Sequence, residues 1–254
     1  MTVTFLGTGT SQGVPFIGCD CAVCTSENPR DNRLRCSVWI DTPQASIVID
    51  AGPDFRYQML RANIRRLDAI LLTHSHKDHI AGLDDVRAYN YHQHKPMEVY
   101  ATTETQQALR REFSYVFENQ SYPGVPQINL HTIHKEAFCV QGIEVTPIFT
   151  LHYKTEVLGF RVGPFTYITD ANYIAPEELE KCRGTSVLVL NALRHEKHIS
   201  HFSLKEAQEI ARQVGAPQTY FTHMSHQIGL HEEVEALLPE GMHLAYDGLR
   251  LTFA

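Results

Sequence analysis

Ala69-Ile70-Leu71-Leu72-Thr73-His74-Ser75-His76-Lys77-Asp78-His79-Ile80-Ala81-Gly82 is an apolar run that gives way to four potential metal ligands within six residues. Ala69–Leu72 has the aliphatic character of a buried strand, and the polar segment stands at its mouth. In an extended segment residues two apart point the same way. His74 and His76 can therefore converge on one cation, while Asp78 and His79 follow on the next turn and can face a second. Imidazole with carboxylate suits Zn²⁺, Mn²⁺ or Fe, and two such ions roughly 3.5–4 Å apart can hold a bridging hydroxide as a nucleophile. The competing reading is a polar surface loop rich in histidine, which leaves this spacing unexplained.

The rest of the composition agrees. The chain has 15 histidines among 254 residues, with six cysteines. Lys plus Arg number 22 against 29 Asp plus Glu, a net charge of −7, so the surface repels polyanions and weighs against a large nucleic-acid partner. With 43% hydrophobic and 20% charged residues the chain can bury a large core. No apolar run approaches the roughly 18 residues that span a bilayer, and MTVTFLGTGT lacks a basic stretch followed by an apolar one. A cytoplasmic protein without membrane contact is expected. In that compartment cysteines stay reduced, and closely spaced ones read as metal ligands.

Strand character recurs at 2–6, 36–41, 46–50, 69–72, 98–100, 128–132, 143–150, 159–162, 165–169, 187–191, 219–222, 243–246 and 249–253. Helical periodicity marks 55–62, 83–91, 103–116, 176–182, 203–214 and 232–237. Hairpins are expected from Ile40 to Ile47 and from Arg161 to Tyr167, the second turning at Gly163-Pro164. No linker-like stretch interrupts the alternation, so residues 1–254 read as one domain of α/β (α+β) class. Sheets flanked by helices follow, with ligands gathered at the carboxyl ends of strands.

His-x-His-x-Asp-His resembles the signature of the metallo-β-lactamase superfamily of dinuclear metallohydrolases. Later strand ends of that superfamily supply a His, a bridging Asp and a final His, and this chain has His152, Asp170 and His223 after strand-like runs. The resemblance implies one metal on His74, His76, His152 and Asp170 and another on Asp78, His79, Asp170 and His223. Asp78 is further implied to orient the bridging hydroxide. Asp50, in Ile47-Val48-Ile49-Asp50-Ala51-Gly52, matches an aspartate that orients the metal loop without binding metal; the plainer reading is a strand-end turn residue.

Cys19-Asp20-Cys21-Ala22-Val23-Cys24 places three thiols in six residues, one ligand short of a closed tetrahedral zinc site. His226, three residues after His223, can be the fourth. The alternative is three reduced, partly buried thiols, and for the isolated Cys36, Cys139 and Cys182 a core role is expected. Gly7-Thr8-Gly9-Thr10-Ser11 lacks the spacing of a dinucleotide loop and alone reads as a turn. Together with the cysteine cluster and Thr222-His223-Met224-Ser225-His226-Gln227, it resembles the PhnP-type phosphodiesterases, which include a phosphoribosyl cyclic phosphodiesterase. That resemblance implies a four-layer αββα sandwich, two active-site ions (Zn²⁺ or Mn²⁺), one structural Zn²⁺ near residues 19–24, a small cyclic nucleotide- or phosphoribosyl-type phosphodiester substrate and a homodimer.

His201 with Ser203 resembles a His-x-Ser stretch beside the metals of phosphodiesterase branches, which makes His201 the proton donor to the leaving alkoxide. His198 is the runner-up, and a solvated loop histidine the plain alternative. Ser203 with Glu206 reads as a helix capping box. The aromatic and turn-rich segment from Phe113 to Pro126 reads as a pocket-shaping loop or a packed surface loop. His92, His94, His131, His134, His195, His231 and His243 have no ligand spacing and read as surface or ordinary polar residues. The rival functions are thioester, lactone or amide hydrolysis on the same scaffold, and a non-catalytic zinc-binding module.

Overall fold

The computed structural model describes residues 1–118 and 124–253. The first half runs β1 (Thr2–Gly7), β2 (Ser37–Asp41), β3 (Ser46–Ile49), α1 (Phe55–Arg61), β4 (Ala69–Leu71), α2 (Lys77–Ile80), α3 (Arg87–Gln93), β5 (Met97–Ala101), α4 (Thr103–Glu112), α5 (Ser114–Phe117) and β6 (Ile128–Thr132). The second runs β7 (Phe138–Val140), β8 (Ile143–His152), β9 (Thr155–Val162), β10 (Phe165–Ile168), β11 (Tyr173–Ile174), α6 (Pro176–Glu180), β12 (Val187–Asn191), α7 (Leu204–Val214), β13 (Gln218–Thr222), α8 (His231–Glu235), β14 (Met242–Leu244) and β15 (Arg250–Thr252). One sheet has the order β15-β1-β2-β3-β4-β5-β6; the other is β11-β8-β9-β10-β12-β13-β14, with β7 paired to β8.

Side chains alternate across a strand, and that alternation builds four layers. In β3, Ile47 and Ile49 enter the core between the sheets while Val48 packs outward with Phe55, Met59 and Tyr89 under the first helical layer. In β12, Val187 and Val189 face the same central core, and Leu188 and Leu190 face the second helical layer with Leu204, Ala207 and Ala211 of α7. These strands are apolar on both faces because both faces are covered. α7 starts on the expected capping box, with Ser203 and Glu206 bonding reciprocally, and ends at Gly215 in a left-handed conformation. β3 to β6 run parallel, as do β10, β12, β13 and β14, so their carboxyl ends are free to carry loops at a shared rim.

Several local expectations are corrected. The helix expected over 103–116 breaks at Phe113 (φ −118°, ψ 43°) into α4 and α5. Of the candidate pocket loop 113–126, residues 119–123, including Asn119, Tyr122 and Pro123, lie outside the described residues. The strand expected from 159 begins at Thr155, because β8 and β9 form one long hairpin turning at Tyr153-Lys154, where Tyr153 has φ 58°. Neither residue there is a typical turn former, so the sequence carried no punctuation. α2, β7 and β11 were too short to show a period. Cys139 is exposed rather than core, whereas Cys36 and Cys182 are buried as expected.

His231 is buried, against the expectation of an ordinary polar residue. The equally buried Arg33 guanidinium donates to Thr8 Oγ1 (2.9 Å), Ala245 O (2.6 Å) and His231 Nδ1 (3.1 Å). Burial, and then the Arg33 charge, push the His231 imidazole down to about 4. A folded value below the unfolded one means the contribution is intact above about pH 6.5 and lost as pH falls toward 4. That loss is on the order of 2 kcal/mol. Chemical denaturation at pH 7 and 4.5 should show a smaller acid-induced drop in His231→Gln than in wild type.

Candidate metal centre

Three of the residues that close the site sit at strand ends with positive φ: Asp50 (64°), Asp170 (56°) and His223 (55°). A non-glycine residue held there is strained, and it turns the side chain off the strand toward the rim. Asp50, fully buried, accepts from the Thr73 amide (2.8 Å) and hydroxyl, and from His79 Nδ1 at 2.6 Å. With Nδ1 donating to Asp50, His79 presents Nε2 to the site, 3.1 Å from Asp78 and 3.3 Å from Asp170. The backbone fixes the loop as well. Ala51 N donates to His79 O and Gly82 N to Ala51 O, each at 2.8 Å. A Cβ on Gly52 would lie 1.9 Å from Asp78 O, and one on Gly82 2.1 Å from Gly52 O.

The other imidazoles are oriented similarly. His74 Nδ1 meets Thr73 Oγ1 at 3.0 Å, and His74 Nε2 lies 2.9 Å from His76 Nδ1. The His152 ring stands 5.8 Å from His74 and 5.1 Å from His76, and its Nδ1 donates to Ser200 O at 2.8 Å, leaving Nε2 for the site. Asp170 accepts from Thr169 Oγ1 (2.7 Å), approaches His223 Nε2 at 2.9 Å and lies 3.8 Å from His201 Nδ1. Met224 N donates to Thr8 O and Thr10 N to Met224 O, both at 3.0 Å, so the Gly7–Thr10 segment is a backbone platform for the His223 loop. No sequence motif marks Ser200, or Asn191, whose side chain grips both Ala171 backbone groups.

Donor atoms of Asp78, His79, Asp170 and His223 all lie within 4.8 Å of one another. His74, His76 and His152 gather ring to ring, whereas Asp170 forms a second compact group with His152 and His201. His79 Nε2, His201 Nδ1 and both His223 ring nitrogens are buried with no hydrogen-bond partner among the described residues. Orphaned imidazole nitrogens between carboxylates fit divalent cations.

Burial works against charge here, yet the carboxylates outweigh it. His223 is raised to about 9 by Asp170 and Asp78, and His79 is held well above the usual imidazole range by Asp50, Asp170 and Asp78. Asp170 is held well below the carboxylate range against burial, by His223 and His79. A cation must displace those protons. Apparent metal affinity should therefore climb from pH 6 toward pH 9 with proton release, measurable by chelator competition. An affinity independent of pH would contradict this charge pattern.

Cys19, Cys21, Cys24 and His226 offer donors within 4.8 Å of one another, with His226 Nδ1 3.4 Å from Cys19 Sγ and 3.3 Å from Cys21 Sγ. The His226 contact draws the Cys21 thiol down to about 6. Three sulfurs and one imidazole fit zinc. Phe16 stacks on His226 with centroids 5.6 Å apart.

The family model of the β-lactamase superfamily domain matches residues 45–224. A crystal structure described as a new diphosphatase from the PhnP family superposes with a TM-score of 0.93 at 42% identity, covering 100% of this chain and 98% of that one. The chain belongs to the metallo-β-lactamase superfamily of hydrolases, in its PhnP family. This PhnP-family chain is also 40% identical over 252 residues to an octanoyltransferase of Porphyromonas gingivalis, and spans about half (51%) of that protein's length. It is 23% identical to a ribonuclease BN of Cronobacter sakazakii, across 99% of this chain and 100% of the ribonuclease. The expected αββα sandwich is thus the PhnP-family fold, and no helix among the described residues is long and apolar enough to cross a membrane.

Proposed function

We propose that this chain hydrolyses a small phosphodiester at a dinuclear centre held by His74, His76, Asp78, His79, His152, Asp170 and His223, with Asp50 orienting His79 and a structural zinc on Cys19, Cys21, Cys24 and His226. Divalent ions at such a centre supply Lewis acidity and lower the pKa of water. The observation that carries the reading is His201, buried within reach of Asp170 and 4.5 Å, ring to ring, from His152. Burial and then the His223 charge push it down to about 2, so it is neutral at pH 7 in the free protein, lower than a group tuned to neutrality. A bound phosphodiester anion replaces that repulsion with attraction. His201 then takes up a proton from water, contacts a phosphoryl oxygen as the imidazolium and passes that proton to the leaving oxygen, returning to the neutral ring. The diphosphatase of 42% identity and the ribonuclease relative support phosphoester chemistry. The net charge of −7 supports a small substrate over an extended nucleic acid.

The octanoyltransferase relative favours a second reading, acyl thioester hydrolysis. A panel of ribose cyclic phosphates, nucleoside cyclic phosphates, bis(p-nitrophenyl) phosphate and acyl thioesters, on protein of measured metal content, separates the two. Turnover of phosphodiesters at least about 100-fold above thioesters is expected; thioester preference sinks the phosphodiester reading. In the same assay Cys21→Ser should lower the metal content from about three ions per chain to two or fewer.

A further inference from the structure

Residues 223–228 join three parts of the molecule. His223 belongs to the candidate dinuclear centre, and three residues on, His226 faces Cys19 and Cys21. Between them Ser225 donates from both its amide and its hydroxyl to Leu193 O, each at 3.0 Å. Gln227 Oε1 accepts from Arg194 Nη1 (2.8 Å), and Ile228 O accepts from His195 Nε2 (2.9 Å). Leu193 N in turn donates to Phe202 O (3.0 Å), and Phe202 N to Ala171 O (2.8 Å). Phe202 follows His201 in the chain, and Ala171 follows Asp170. Hydrogen bonds thus connect the backbone that carries His226 to the backbone of His223, His201 and Asp170.

The thiol-bearing side of this hub has few other supports. From Pro15 to Cys24 only Val23 is buried, and Ile17 is 89% exposed. Beyond Thr25 and Ser26, the hydrogen bonds of that stretch to the rest of the described residues are the two at His226. A segment with so little apolar burial opens locally at small cost. Four donors converging on one ion close it and fix His226 in the same event. The opposite side of the centre is independent of this. The His74–His79 loop is locked by main-chain contacts with Ala51, Gly52 and Gly82.

We propose that residues 223–228 couple the two metal sites, so that filling Cys19, Cys21, Cys24 and His226 tightens binding at the His223 side of the dinuclear centre and sets the place of His201. The inference rests on the ligand assignments proposed above and not on the reaction. The cysteine cluster then acts as a control site that responds to zinc supply, with Ser225 and His226 as its positioning residues. Coupling between two sites is reciprocal, so ions in the centre tighten the thiolate site by the same factor.

The test is a titration of Mn²⁺, followed by electron paramagnetic resonance, into metal-free protein and into protein first given one equivalent of Zn²⁺. Thiolates select zinc, whereas Mn²⁺ favours the carboxylate-bearing centre, and sulfur scattering in the zinc X-ray absorption spectrum verifies the loading. Mn²⁺ should bind the zinc-loaded wild type about tenfold tighter than the metal-free protein, within the usual range for coupled sites. Cys21→Ser should keep the weaker affinity with or without zinc. Cys21→His still offers a tetrahedral site of two sulfurs and two imidazoles, and should restore the zinc response. Ser225→Ala keeps every ligand and should reduce the difference by at least about twofold. A wild-type Mn²⁺ affinity that ignores the zinc, or a Cys21→His protein that binds zinc without restoring the response, overturns the coupling. A zinc-dependent affinity in a protein that turns over no phosphodiester supports the coupling and overturns the hydrolytic reading alone.

Discussion

Asp170→Asn is expected to empty the proposed dinuclear centre while leaving the proposed structural zinc in place. The metal content should fall from about three ions per chain to about one, and phosphodiester turnover by at least about 100-fold, since even residues that only orient ligands cost 10–100-fold. The reason lies in the position of the carboxylate. Its two oxygens face different imidazoles, His223 at 2.9 Å and His79 at 3.3 Å, and the amide keeps the shape but supplies no charge for either ion. Elemental analysis and activity should fall together. Retention of two ions in the centre by the variant would remove Asp170 from its bridging role.

His201→Ala should act differently. Metals stay bound and kcat falls by about 10²–10⁴-fold, the usual contribution of a positioned acid or base. The loss should depend on the leaving group. A nitrophenolate departs without a proton, so the variant loses least on bis(p-nitrophenyl) phosphate, whereas an alkoxide departs as a strong base and loses most. Because His201 also shares a compact donor group with His152 and Asp170, the metal measurement decides between acid and ligand. Loss of metal together with an equal rate loss on both substrates would make it a ligand.

Most of the sandwich could be read from the sequence, for a specific physical reason. β3, β4 and β12 are covered on both faces and therefore carry short apolar runs (Ile47–Ile49, Ala69–Leu71 and Val187–Leu190), and the capping box at Ser203 and Glu206 marked the start of α7. What escaped notice lacked side-chain chemistry. The Tyr153-Lys154 turn carries no glycine or asparagine, β11 has two residues, and α2 is a single turn that carries the candidate ligands Asp78 and His79. The same division holds at the site. Histidines and aspartates announced themselves by spacing, while Thr73 and Ser200, which decide which nitrogen each imidazole presents, act through one hydroxyl and one carbonyl at positions without any sequence period. His231 escaped because its burial follows from Arg33, almost two hundred residues earlier in the chain.

The close backbone contact between Gly52 and Asp78 has a consequence for how the protein acquires its ions. Because glycines let the two loops interlock through main-chain atoms, the cradle is assembled by folding itself, and an arriving ion meets donors already in place. Chelation should then be a reversible exchange rather than an unfolding event, and one preparation can be stripped and recharged with different first-row ions to compare their reactivities on an unchanged scaffold.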